Sequence, residues 1–164
     1  MHNTLKSSFP PQFIDGNSAQ EHISILANNY QQYFSEPMII GFSEKDLLQA
    51  IWQGDFVVLS HGTEEDPIFN FANLCAQQLF EMDFETITQL PSRKSAGPST
   101  QQERNRLMSQ VTTKGCIDDY SGIRVSATGK QFYIERAKVW NLTDESGEYY
   151  GQAAMFSDWK VINE

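Results

Sequence analysis

Pro91-Ser92-Arg93-Lys94-Ser95 puts two adjacent cations and two hydroxyls into a bend, in a chain of 164 residues with a formal net charge of -9. Cations, hydroxyls and free backbone amides suit an anion, and Ser99 opens a helix whose N-terminus adds a positive dipole. A competing reading pairs Arg93 with an acid such as Asp83, Glu85, Asp118 or Asp119 and leaves the prolines to route the chain. Downstream, Asp118 and Asp119 are neighbours in a strand-like run. The two-residue period sends such neighbours to opposite faces, so the two carboxylates cannot converge for general acid–base work. One is expected to point inward: Asp119, held by Arg93, Arg124 or Arg136, with Tyr120 or the acid's partner on the sheet face.

His2, His22 and His61 share no spacing with cysteine that would make a zinc site, and each reads as a surface or packing residue. Cys75 and Cys116 are far apart and belong to no CxxC pattern, which points to reduced thiols in a reducing compartment. GxSxG, Walker, GxGxxG and HExxH patterns are absent from the sequence. No catalytic residue, metal or cofactor is therefore assigned, and an enzyme is not expected. Phe80, Met108, Phe132, Tyr133, Trp140 and Met155 would line an apolar pocket between sheet and helices, or equally make plain core.

These residues need elements to position them. A hydrophobic share of 40%, a charged share of 20% and 12% aromatic residues describe a folded chain of one-domain length. The negative charge disfavours nucleic acid and anionic lipid as partners. With no signal-peptide core and no spanning segment in the sequence, a cytoplasmic protein is expected.

Residues 1–17 read as an N-terminal tail and 18–54 as a helical extension. In the extension, Ser18 and Glu21 make a capping box ahead of Ile23, Leu26, Ala27, Tyr30 and Phe34, and Pro37 stops the run. A second helix starts at Ser43, shows Leu47, Leu48, Ile51 and Trp52 on one side, and closes at Gly54. Residues 55–164 follow as one further unit. Phe56–Leu59 and Ile68–Ala72 read as a strand hairpin, and Asn73 caps a helix carrying Leu74, Cys75 and Leu79. Asp83 starts a short helix, and Ser99 a longer one through Leu107, Met108 and Val111. Three strands at 116–127, 131–142 and 148–159 end the chain, separated by Thr128-Gly129 and Asp144–Gly147 turns. Strict alternation sets Phe132, Ile134 and Trp140 on one face of the middle strand, against Tyr133, Ala137 and Val139 on the other.

This order describes an α+β domain with helices on one side of an antiparallel sheet. DPIFNFAN, AQQLFEMDFETITQL, a capped helix and SATGKQFYIERAKVWNLTDESGEYYGQAAMF together resemble the PAS domain, with Asn70 or Asn73 as its asparagine after the second strand, the Leu79-Phe80 pair, the acidic helix at Asp83 and the turn glycine at Gly129. More narrowly, FNFANLCAQQLFEMDFETITQLPSRKSA, IDDYSGIRVSATGKQF and VWNLTDESG resemble the MEKHLA domain, a PAS-related family, over about residues 18–157. The resemblance implies a PAS-like five-stranded antiparallel sheet with helices on one face and two additional N-terminal helices. It also implies a stand-alone, bacterial-type sensory domain that binds a small molecule between sheet and helices. Arg93, Lys94, Ser95, Tyr120, Arg136, Trp140 and Asn70 are the expected ligand contacts. The alternative is an interaction module with a filled core, whose N-terminal helices dimerise it or dock a regulatory protein.

Overall fold

The computed structural model describes residues 9–97 and 101–162. The proposed cap at Ser99, together with Pro98 and His2, lies outside the described residues. Strands β1 (Phe13–Ile14) and β2 (Asn17–Ser18) form a small hairpin that leads into helix α1 (Ala19–Phe34). Both bonds of the capping box form, with Glu21 N–H donating to Ser18 Oγ and Ser18 N–H to Glu21 Oε1, each at 3.1 Å. Residues 44–46 make one 3-10 turn before α2 (Leu47–Trp52). Here Ser43 gives no backbone cap; its hydroxyl donates to the Asp46 carboxylate at 2.9 Å.

The remaining elements are β3 (Val57–His61), β4 (Phe69–Ala72), α3 (Leu74–Phe80), α4 (Phe84–Ile87), a 3-10 turn over Ser92–Ser95, α5 (Gln101–Lys114), β5 (Cys116–Val125), β6 (Gln131–Thr143), β7 (Tyr149–Phe156) and β8 (Asp158–Val161). The main sheet is antiparallel in the order β4-β3-β7-β6-β5, with β8 on the first half of β6. Five extended segments were expected and six strands form, because the last one is interrupted at Ser157. Residues 155 and 158 nevertheless keep one continuous register against 138 and 135. Arg136 stands opposite the interruption with φ 54°, so β6 is kinked at the same level.

Two apolar layers sandwich this sheet. On one face, Ala76, Leu79, Phe80, Ile87, Leu107 and Val111 pack against Val57, Leu59, Ile134, Ala137, Val139 and Phe156. On the other, Ile23, Leu26 and Tyr30 of α1 and Ile51 and Trp52 of α2 pack against Val58, Phe71, Trp140 and Leu142. The two additional helices thus cover the sheet face opposite α3–α5, which spares that face from water.

Asn73 ties the layers together and is fully buried. Its Oδ1 accepts from Ala76 N–H, the expected helix cap, and from Val58 N–H, while its Nδ2 donates to the Ile51 and Phe56 carbonyls. One side chain therefore satisfies the start of α3, the end of α2 and the entry to β3.

Candidate functional site

Between the sheet and the α3–α5 layer lies a cavity of about 70 Å³. By the same measure one water needs roughly 10–15 Å³, so the space takes a few waters or one compact molecule. Its walls are mostly apolar, with Leu59 and Phe69 from the β3–β4 hairpin, Phe80 from α3, Leu107 from α5 and Ile134, Val139 and Phe156 from β6 and β7. The polar groups on it are Ser60, His61, Ser92, Ser95, Tyr120, Arg124 and Gln152.

Tyr120, Gly122 and Arg124 are spaced two apart in β5 and share a face by the strand period. Gly122 is where the tyrosine needs room: a Cβ there would come within 2.6 Å of the Tyr120 hydroxyl. The ring lies back over the glycine, and the Arg124 guanidinium carbon sits 5.5 Å from its centroid, a cation–π arrangement. Tyr120 is 2% exposed. Its hydroxyl and Arg124 Nη1 are both buried without a hydrogen-bond partner among the described residues. An orphaned buried polar group costs about 1–3 kcal/mol, and a charged one more. Among the described residues Arg124 is the only charged side chain lining the cavity, and no carboxylate of theirs faces it there.

The bend at 90–97 closes one end of this space. Short β-bridges pin it at both ends, Ile68 to Pro91 and Ala96 to Arg124. Its serines turn inward: Ser92 and Ser95 are buried, and Ser95 Oγ donates to the Ser92 carbonyl at 2.8 Å. Its cations turn outward. Arg93 pairs with Asp66 at 3.1 Å across an exposed surface, an acid not among those anticipated, and Lys94 is exposed. The side chains of the bend that face the cavity are therefore its serines.

Of the seven expected contacts, Ser95 and Tyr120 line the cavity. Arg136 and Trp140 do not, and the reason is the kink. Ile134 and Ala137 lie in the same apolar layer three residues apart, because Arg136 takes up a left-handed residue between them. Alternation after the kink is shifted by one. Trp140 is sent to the α1 face, where its Nε1 donates to the Leu26 carbonyl at 3.1 Å. Arg136 is left outside, paired with Asp158 at 2.8 Å. A matching bulge in β5 between Ile117 and Tyr120 exposes both Asp118 and Asp119, so the expected buried Asp119 ion pair does not form. Among the six aromatic and methionine candidates, Phe80 lines the cavity, Phe132 packs edge-on against it at 5.2 Å, and Tyr133 and Met108 stay outside it, 36% and 37% exposed. Met155 packs with the α1-side layer.

Asn70 belongs to a second polar constellation, on the α1 side. His22 is fully buried, and burial holds its imidazole well below the usual 6.5, at about 4. It is neutral, and its neighbours fix the tautomer. Ser60 Oγ donates to Asn70 Oδ1 at 2.5 Å, so it accepts from His22 Nε2–H at 2.9 Å. Nδ1 is then the acceptor for the Tyr150 hydroxyl at 2.8 Å. With Asn17 Nδ2 donating to Tyr150 and Asn70 Nδ2 donating to Asp15 at 2.6 Å, every bond in the chain runs one way, from Asn17 to the Asp15 carboxylate. This network was not foreseen; its only trace in the sequence is a histidine among the apolar positions of α1. Ser60 in this network and His61 in the cavity wall are neighbours in β3.

Cys75 and Cys116 are both free thiols, and burial raises the pKa of each. Among the described residues no group of three or more His, Cys, Asp or Glu is placed to hold a metal, and no helix is long and apolar enough to cross a membrane.

The MEKHLA domain model matches residues 20–161. Homeobox-leucine zipper protein HOX29 of Oryza sativa subsp. japonica is 20% identical over 142 residues, covering 84% of this chain and 16% of that protein. Homeobox-leucine zipper protein ATHB-9 of Arabidopsis thaliana is 23% identical over 118 residues, covering 71% of this chain and 14% of that protein. The chain therefore spans less than a fifth of the curated relatives it matches. Among solved structures, the PAS domain of a protein from Colwellia psychrerythraea superposes with a TM-score of 0.60 at 14% identity, covering 72% of this chain and 95% of that one. An RNA-binding light-oxygen-voltage receptor gives a TM-score of 0.60 at 14% identity over 73% of this chain and 35% of its own. The architecture is that of a PAS domain.

Proposed function

This chain belongs to the MEKHLA domain family, and from that premise we propose that it is a PAS-like sensory domain that binds a compact molecule between its sheet and the α3–α5 layer. The observation that carries this reading is the pair of orphaned polar atoms, Tyr120 Oη and Arg124 Nη1, on the wall of a mostly apolar cavity. Buried polar groups in folded proteins find partners, and a bound molecule supplies them. Fold alone would not carry the argument, since one fold hosts many functions.

In this reading the protein is a cytoplasmic binder rather than an enzyme, and the N-terminal segment 18–54 passes the signal on. Support for that route comes from β3, where Ser60 holds the α1-side polar network and the adjacent His61 lines the cavity. A molecule that displaces the cavity wall acts on the strand to which α1 is tied.

Native mass spectrometry of the chain as purified from cells, with thermal-shift screening against a metabolite panel, tests the reading. A copurified small molecule or a saturable shift that Phe80→Trp abolishes by filling the space is the expected result. An apo mass together with no shift from any compound would remove the ligand.

A second reading has its own observation. Phe9, Phe13, Ile40 and Phe42, all N-terminal to the main sheet, are exposed, as suits a dimer or a regulatory protein docking there. Light scattering with Phe13→Ser and Phe42→Ser variants tests it: a concentration-dependent dimer that both changes weaken supports it, and a monomer at every concentration counts against self-association.

A further inference from the structure

We infer that the molecule taken up by this cavity is a compact monocarboxylate with an apolar body, bound with its carboxylate on Arg124 and Tyr120; the inference rests on the ligand-binding reading above. Three observations select this class. The first is charge: among the described residues Arg124 is the one charged group on the cavity wall, it forms no ion pair with any of them, and its Nη1 is buried with no hydrogen-bond partner among them. Arg124 as a whole is half-buried, but its Nη1 end is closed off from water, and a cation shielded there calls for an anion.

The second is geometry. Tyr120 Oη and Arg124 Nη1 are donors from one face of one strand, with the guanidinium held over the phenol ring. Two such donors match the two oxygens of a planar carboxylate, the group a guanidinium recognises best. The third is the apolar majority of the wall. Leu59, Phe69, Phe80, Ile134, Val139 and Phe156 offer nothing to further charges. Phosphate or a dicarboxylate would bury charge against hydrocarbon, whereas an alkyl or aryl body is welcomed there. The cavity volume of about 70 Å³ restricts that body to a small one.

Calorimetric titration and thermal shift of the full chain with butyrate, isovalerate and benzoate, each beside its primary amide, and with phosphate and chloride, test the assignment. At least one acid is expected to bind with its amide about 10- to 100-fold weaker, the loss of a charge-assisted hydrogen bond pair. Arg124→Gln should erase the acid-over-amide preference, Arg124→Lys should keep part of it, and Tyr120→Phe should weaken the acid by about 10-fold. Circular dichroism establishes that each variant is folded, and if Arg124→Gln is not, the lysine and phenylalanine variants decide alone. Amides binding as well as acids would overturn the carboxylate while leaving a ligand-binding domain. Phosphate or chloride binding as tightly, without regard to the apolar body, would overturn it too. No binding of any acid, with an apo mass from cells, would overturn this inference and the reading beneath it.

Discussion

His22 Nε2 lies 2.9 Å from Ser60 Oγ, and this bond joins the first helix to the second face of the sheet inside a fully buried site. Because burial lowers the imidazole from 6.5 to about 4, the folded protein resists a proton that the unfolded chain accepts. The contribution of His22 is fully present above pH 6.5 and is lost as pH falls from 6.5 toward 4, with a slope near 1.4 kcal/mol per unit and about 3 kcal/mol in all. His22→Gln should be less stable at pH 7.5, and the two denaturation curves should converge across that window. Parallel curves would show that the buried imidazole is not what titrates.

Asn73→Ala leaves two N–H groups and two carbonyls without the partners that Asn73 supplies. A loss of about 3 kcal/mol or more is expected in urea unfolding. Asn73→Asp should be no better, since it sets a carboxylate oxygen against the Ile51 and Phe56 carbonyls. A loss below about 1 kcal/mol would mean that water takes over these bonds.

Gly151 has φ 146°, and a Cβ on it would overlap the His61 carbonyl oxygen on the neighbouring strand. Both the backbone conformation and the close approach require glycine. Gly151→Ala should cost more than about 2 kcal/mol, read as a fall in Tm, and should also weaken any cavity ligand because His61 lines the wall. A Tm equal to the parent's would contradict the close packing of these two strands.

Arg136→Gly removes an exposed ion pair to Asp158 but relieves a left-handed residue. The pair is worth at most about 1 kcal/mol and the strain about the same, so stability should change by less than about 1 kcal/mol. Arg136→Val, which keeps the strain and adds a branched Cβ, should lose more. Neither should alter acid binding at Arg124; a changed affinity would return Arg136 to the site.

Much of the fold was legible. The Ser18–Glu21 box, the Asn73 and Asp83 caps and the Gly129 turn are local chemistry, and each forms as its spacing requires. The apolar face of α1 was equally plain, because helical period depends on nothing outside the helix. The site was less so. Tyr120 and Ser95 were found, but Arg124 was read only as a partner for Asp119, although Tyr120-Ser-Gly122-Ile-Arg124 already places the three residues on one strand face. Arg93 and Lys94 are conspicuous cations in the sequence, but the backbone of the bend points them at solvent and turns its serines in.

By itself the amino-acid sequence determined the apolar helix faces, the caps at Ser18, Asn73 and Asp83, the strand hairpins and the family, all of which rest on neighbours within a few residues or on long matched strings. Tertiary structure alone decided which way the strand residues face. One extra residue at Arg136 and another before Tyr120 reverse the alternation on either side of them, and such slips arise from how two distant strands pair rather than from spacing along one. That is why Trp140 and Arg136 leave the cavity, both acids of the Asp118-Asp119 pair face water, and the cation left on the cavity wall is the half-buried Arg124.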